Sequence, residues 1–221
     1  MEIKVVRQIL EWNEDCSNHI KDELRNNEIF MINVMGSPGA GKTSLIIELI
    51  KRLRESYNTA VIEGDIAGQV DAEKIDALGI PVVQLNTEGA CHIEAMSIKN
   101  ILQYFDLEDI DVIFIENIGN LVCPAEFNVG EDIRIAVLSV PEGDDKVEKY
   151  PLTFETSDLM VMNKYDMVEH FEFDDVKVEH NVKNCNNTAK VFRISNKTGE
   201  GLDKLFQYLV CSIESKLKNI G

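Results

Sequence analysis

The stretch Gly36-Ser-Pro-Gly-Ala-Gly-Lys-Thr-Ser-Leu45 matches the pattern GxxxxGK(S/T) in full and sits between two segments of different period. Before it, Phe30 to Met35 is an almost unbroken apolar run; after it, Leu45, Ile46, Leu49, Ile50 and Leu53 recur at helical spacing. Strand, glycine-rich turn and helix in that order place main-chain N–H groups and a helix N-terminus around a phosphate group. The residues predicted to cradle it are Gly36, Ser37, Gly39, Ala40, Gly41, Lys42, Thr43 and Ser44. Lys42 is expected to reach the β- and γ-phosphates, and the Thr43 hydroxyl to ligate Mg2+. The plainer alternative is a flexible turn that only connects strand to helix.

Six further β-branched runs follow: 59–64, 81–85, 111–117, 133–140, 158–164 and 190–195. Most are apolar on both faces, which requires a sheet covered on both sides. The amphipathic intervals 43–55, 91–105 and 201–218 supply that cover. The expected fold is therefore α/β, a doubly wound and mainly parallel sheet, with ligands beyond the carboxyl ends of the strands. Residues 1–25, with Val5, Val6, Ile9, Leu10, Ile20 and Leu24 at roughly helical spacing, read as one or two helices packed on the main body of residues 26–221.

Charge narrows the partners. A net charge of −17 repels nucleic acid and anionic membranes, so any phosphate must be held by a local device. No stretch approaches the roughly 18 continuous apolar residues of a membrane span, and the N-terminal residues lack a signal-peptide pattern. A cytoplasmic protein is expected. Five scattered cysteines, an odd number, fit reduced thiols better than a disulfide framework.

Which nucleotide is addressed by the run 158–164, which leads into Asn163-Lys164-Tyr165-Asp166. Guanine offers two adjacent donors that one fixed carboxylate, Asp166, can accept, and adenine lacks the pair. Ser195 and Lys197 lie in a following loop of the type that closes on the base. The alternative is Asp166 as a solvated or N-capping carboxylate. Two more strand ends carry acids, Asp65 and Glu116, suited to Mg2+ directly or through water, and Gly119 can offer an N–H to the γ-phosphate. Lys42, Asp65, Glu116 and Gly119 are the expected catalytic set, with Thr43, Asp65 and Glu116 around Mg2+. No arginine finger or water-orienting glutamine is identifiable.

The adjacent pair Cys91-His92 and the later Cys123 suggest a transition-metal site. Two thiolates and an imidazole suit Zn2+ or Ni2+ and suit Mg2+ poorly. Cys91 is expected to open a helix whose dipole favours the thiolate. Cys123 follows directly on Glu116–Gly119, so a metal there would sense the phosphate. Three ligands fall short of the four of a structural zinc site, which implies an exchangeable site or one completed by a second subunit. On spacing alone, ordinary core packing of these residues stays open. Cys16, Cys185 and Cys211, with no such neighbour, read as packing or surface residues, and His19, His170 and His180 as solvated.

Taken together, GSPGAGKTSL, IEGDIAGQ, GACHIEA, FIENIGNLVCPAEFNVGE, VPEGDDKVEKYP and NKYDM resemble the HypB family, SIMIBI-class P-loop GTPases of hydrogenase nickel incorporation, over about residues 30–200. The resemblance implies a GTP- and Mg2+-dependent hydrolase that forms a homodimer with GTP and carries Ni2+ or Zn2+ on Cys91, His92 and Cys123 at the dimer face. Its implied partners are other hydrogenase maturation factors and the hydrogenase large-subunit precursor. The related urease accessory GTPases resemble a Cys-Pro-His motif instead, whereas here Cys and His adjoin. A GTP-gated protein-interaction chaperone without metal transfer is the other open alternative. The resemblance also covers Asp144, Asp145 and Lys146, which could face the nucleotide, a partner or only solvent.

Overall fold

The computed structural model describes residues 2–65, 70–87 and 89–218, apart from the side chains of residues 2–9, 65, 70, 71 and 218. Seven strands form one sheet in the order β3-β2-β4-β1-β5-β6-β7. They are β1 (Phe30–Gly36), β2 (Thr59–Asp65), β3 (Val82–Asn86), β4 (Val112–Glu116), β5 (Ile133–Ser139), β6 (Leu159–Asn163) and β7 (Lys190–Arg193). Every pairing is parallel. The strands fall within one or two residues of the apolar runs because a strand buried on both faces leaves no polar alternation to blur its ends.

The pleat sorts side chains between two layers. Phe30, Ile32 and Val34 of β1 pack with Val61, Phe114 and Val137 against α2 (Lys42–Leu53) and α8 (Leu202–Lys218). On the opposite face Met31, Ile62, Ile113 and Ile115 pack against α1 (Glu2–Asn26) and α4 (Ala95–Leu102). Farther along that face, Ala136, Leu138, Met160 and Met162 meet Val178 and Val182 of α7 (Asp175–Cys185). The shorter helices are α3 (Val70–Asp76), α5 (Lys146–Lys149) and α6 (Pro151–Glu155).

α1 is a single helix. Cys16, Ile20 and Leu24, one turn apart, are buried in the α4-side core. Full burial of a Leu or Ile is worth about 1.5–3 kcal/mol, so Ile20 and Leu24 suffice to seat the helix on the body. No helix among the described residues is long and apolar enough to cross a membrane.

β1 and β4 are neighbours at the sheet centre, and because every pairing is parallel the carboxyl ends of the strands share one edge. In such a sheet ligand sites are expected beyond the strand carboxyl ends.

Candidate functional site

The loop after β1 turns through Gly39 and Gly41, both at positive φ (77° and 93°). Gly41 is tightly determined, because a Cβ there would collide with the Asn163 side-chain amide. α2 begins at Lys42, whose Nζ donates to the Ser37 carbonyl at 3.4 Å and lies 4.0 Å from Glu116 Oε1. Ser37 is half-buried and Ala40 fully buried. Thr43 Oγ1 donates to Glu116 Oε1 at 2.8 Å. The Lys42 ammonium, the Thr43 hydroxyl and the Glu116 carboxylate therefore share one pocket of about 560 Å3, which Gly39, Gly41, Ser44, Glu63, Lys74, Asn117 and Gly119 also line.

Gly119 closes this pocket against the phosphate loop. A Cβ on it would stand 2.7 Å from Pro38 Cγ, so only glycine permits that approach. Asp65 ends β2 beside Asn86 of β3; its side chain lies outside the described residues. Glu63, not anticipated from the sequence, is buried and is the cross-strand partner of Glu116. Its signal was available: a charged residue inside an otherwise apolar buried strand is costly and rarely idle.

A second cavity of about 600 Å3 adjoins the first, sharing Gly41, Ser44, Ile47 and Lys164. Asn163, Asp166, Met167, His170, Asn196 and Lys197 line it. Asn163 Nδ2 donates to the Ala40 carbonyl at 2.8 Å, and Lys164 Nζ to the Gly39 carbonyl at 2.7 Å. Lys164 itself adopts the left-handed conformation (φ 55°), held by its N–H donating to Asn163 Oδ1 at 2.7 Å. Ser195, fully buried, donates its hydroxyl to Asp166 Oδ1 at 2.6 Å and accepts from Thr198 N at 3.1 Å. Asn196 Nδ2 donates to the Gly41 carbonyl at 3.2 Å, while its Oδ1 is buried with no hydrogen-bond partner. His170, read as merely solvated, lines this cavity although its ring is largely exposed. Asp144 and Asp145 line neither cavity. Asp144 pairs with Lys177 at 3.3 Å, and Asp145 with Lys146 at 3.3 Å and with Lys149.

One side-chain cluster among the described residues has metal-ligating geometry. Cys91, His92 and Cys123 bring one ligand atom each to within 4.8 Å of the others. Cys91 Sγ lies 3.6 Å from His92 Nδ1. The His92 ring stacks on Phe127 with centroids 4.0 Å apart, and its buried Nε2 makes no hydrogen bond, the Glu94 carboxylate standing 3.6 Å away.

One expectation is corrected here. Cys91 does not open a helix: α4 starts at Ala95, and Cys91 lies in the bend before it. The thiol is accordingly not lowered by a helix dipole. Its hydrogen bond with Cys123 pushes its pKa up, with desolvation and the neighbouring Cys123 and Glu126 charges adding to the effect. The helical interval shrinks from 91–105 to α4 because Cys91-His92 and Asn120 tie the preceding chain to another loop: Asn120 Nδ2 donates to the Cys91 carbonyl at 3.2 Å. Asn120 also forms a backbone bridge to Gly36, the first residue of the phosphate loop.

Residues 30–193 match the family model of the CobW/HypB/UreG nucleotide-binding domain. The "Probable hydrogenase maturation factor HypB" of Methanocaldococcus jannaschii is 38% identical over 212 residues, covering 96% of both chains. The chain belongs to the HypB family. Two solved HypB structures agree with it closely. That of Archaeoglobus fulgidus has a TM-score of 0.87 at 34% identity and covers 92% of this chain and 100% of its own. That of Helicobacter pylori, a complex with nickel, has a TM-score of 0.86 at 35% identity over 94% and 96% of the two chains. In HypB terms the sheet is the SIMIBI P-loop arrangement, the two adjoining cavities belong to its nucleotide-binding domain, and the Cys/His/Cys cluster stands beside them.

Proposed function

We propose that this HypB-family chain is a GTP-hydrolysing metallochaperone that delivers nickel during hydrogenase maturation. The observation that carries the reading is the segment 116–123, which lines the phosphate pocket at one end and supplies Cys123 at the other. Asn120, midway along it, touches both the phosphate loop and Cys91.

The nucleotide fits the residues present. The base cavity offers Asp166, aimed by the Ser195 hydroxyl, as acceptor for the two guanine donors. The unpaired Asn196 Oδ1 gives a further polar contact. The P-loop amides and Lys42 hold the phosphates and stabilise charge that develops as the terminal P–O bond breaks under attack by water. Thr43, Glu116 and Asp65 are the residues that would hold Mg2+, which would neutralise phosphate charge and orient the terminal group.

The cargo site fits a borderline-soft cation. Two sulfurs and a ring nitrogen suit Ni2+ and Zn2+, and His92 Nδ1 stands beside the Cys91 sulfur. Nickel is favoured because the Helicobacter pylori relative was solved as a complex with nickel. Three ligands leave the site open. A second copy placed across a two-fold axis would complete it, and a GTP-dependent homodimer follows. The recipients are then other hydrogenase maturation factors and the large-subunit precursor, in the cytoplasm.

Size-exclusion chromatography with metal analysis, in GDP and in a non-hydrolysable GTP analogue, tests this reading. A dimer with the analogue and a metal stoichiometry lost in Cys91→Ala and Cys123→Ala are expected. Unchanged stoichiometry in both variants overturns metal transfer and leaves an interaction module.

A further inference from the structure

The face of the sheet that packs against α1 and α4 carries polar side chains where apolar ones belong. Asn33 in β1 and Arg134 in β5 lie on the same face as Met31 and Ala136, and both are buried. They belong to one chain of hydrogen bonds. Asn117, in the segment that closes the phosphate pocket, accepts from the Ile118 N–H at 2.9 Å and donates to Asn33 Oδ1 at 3.2 Å. Asn33 Nδ2 donates in turn to Glu131 Oε1 at 3.2 Å. The same oxygen accepts from Arg134 Nε at 2.6 Å, and Glu131 Oε2 accepts from the Val129 N–H at 2.8 Å. The far end of the Arg134 guanidinium donates to the carbonyls of Ala125 and Phe127 at 3.2 and 3.0 Å. Those carbonyls belong to the turn that begins at Cys123 and carries the Phe127 ring stacked on His92.

We propose that Asn33, Glu131 and Arg134 are positioning residues that transmit the state of the phosphate pocket to the metal site, setting how metal affinity depends on the nucleotide. This rests on the function proposed above and adds its internal linkage.

The physical ground is the scarcity of alternatives in a buried polar chain. Asn33 uses one end of its amide toward Asn117 and the other toward Glu131, so a shift of Asn117 strands a buried donor unless the rest follows. The two Asn33 bonds lie at the long end of the N–H···O range, so movements of a few tenths of an ångström tighten or break them. Arg134 is a planar fork that carries a shift of Glu131 to two carbonyls at once. The direct contact through Asn120 moves Cys91; this second path moves Cys123 and the His92 support from the opposite face.

The test measures Ni2+ and Zn2+ dissociation constants by chelator competition on the full chain, once with GDP and once with a non-hydrolysable GTP analogue. The readout is the ratio of the two constants, which a merely structural role leaves alone. Wild type is expected to show a ratio at least about fivefold from unity, the lower end of ordinary coupling between sites. In Asn33→Leu, which removes both bonds at similar volume, the ratio falls to within about twofold of unity while metal still binds in each state. Arg134→Lys keeps the charge beside Glu131 but loses the double carbonyl contact. It gives an intermediate ratio and serves if Asn33→Leu fails to fold. A wild-type ratio retained in the folded variants overturns the relay alone. A ratio of one in the wild type overturns the relay together with the nucleotide-gated metal delivery beneath it.

Discussion

The loop after β6 and the loop after β4 leave the same edge of the sheet but are built on opposite principles. At β6, Asn163, Lys164 and Asp166 lie within four residues of one another along the chain and are locked by bonds to Ala40, Gly39 and Ser195. At β4, the cluster takes Cys123 from one segment and Cys91-His92 from another, joined by packing, by the Asn120 contact and by the hydrogen bond between the two cysteines. Where a strand end and a few residues carry a site, spacing along the chain is geometry. Where two segments must meet, geometry belongs to the fold, and so does the electrostatics, which is why the Cys91 thiol shifts upward rather than downward. The first kind of site suits a fixed ligand, the second a cargo held and released.

The largest effect that would break this contrast lies in the phosphate pocket that adjoins the β6 loop. Lys42→Ala removes a preorganised cation from the phosphate pocket and should slow GTP hydrolysis by roughly 10²–10³-fold without moving the dissociation constant for metal in the GDP state. A parallel collapse of both measurements would show that the two sites are one unit. Asp166→Asn is next. Loss of the paired acceptor should cost GTP affinity on the order of 1–3 kcal/mol and favour xanthosine triphosphate, whose 2-oxo group replaces the amine. Competition binding reads this directly, and equal GTP affinity in both proteins would remove Asp166 as the base-reading residue.

The asymmetry also governs how much was legible beforehand. All seven strands were readable because burial on both faces leaves continuous apolar runs, and the parallel sheet follows from the helical intervals between them. The phosphate loop and Asn163–Asp166 were readable as contiguous patterns. Glu63, Asn33 and Arg134 were not singled out, although each is a polar interruption in an apolar strand. Their partners, Glu116, Asn117, Glu131 and the Ala125 and Phe127 carbonyls, come from elsewhere in the chain, so their purpose is a matter of register. The start of α4 was misplaced because Cys91-His92 continues the helical spacing of 95–102 on paper, while a tertiary contact to Asn120 holds it in a bend.

A smaller effect sharpens the contrast at the assembled site. Asn120→Ala removes the hydrogen bond to the Cys91 carbonyl and keeps all three ligands. A net bond of this kind is worth about 0.5–1.5 kcal/mol, so metal affinity should weaken by roughly two- to tenfold. Loss of metal binding altogether would mean that Asn120 holds the loop and not just the carbonyl.

The smallest effect concerns rate alone. In the metal-free protein the Cys91 thiol is raised chiefly by its hydrogen bond with Cys123, with desolvation next. Only the thiolate is alkylated, so a raised pKa slows the reaction at neutral pH, and the rate climbs as pH rises through that raised value. Cys123→Ala removes both the hydrogen bond and the neighbouring sulfur charge. The Cys91 pKa then falls toward that of an ordinary thiol, and the pH profile of iodoacetamide labelling moves to lower pH, with faster labelling of Cys91 near neutrality. Because metal binding also requires the thiolate, the raised Cys91 pKa makes the wild-type site proton-linked: affinity rises with pH, and a cation must displace the Cys91 proton. An unmoved labelling profile would mean that the two sulfurs are electrostatically independent, and that the assembled site behaves like the local one.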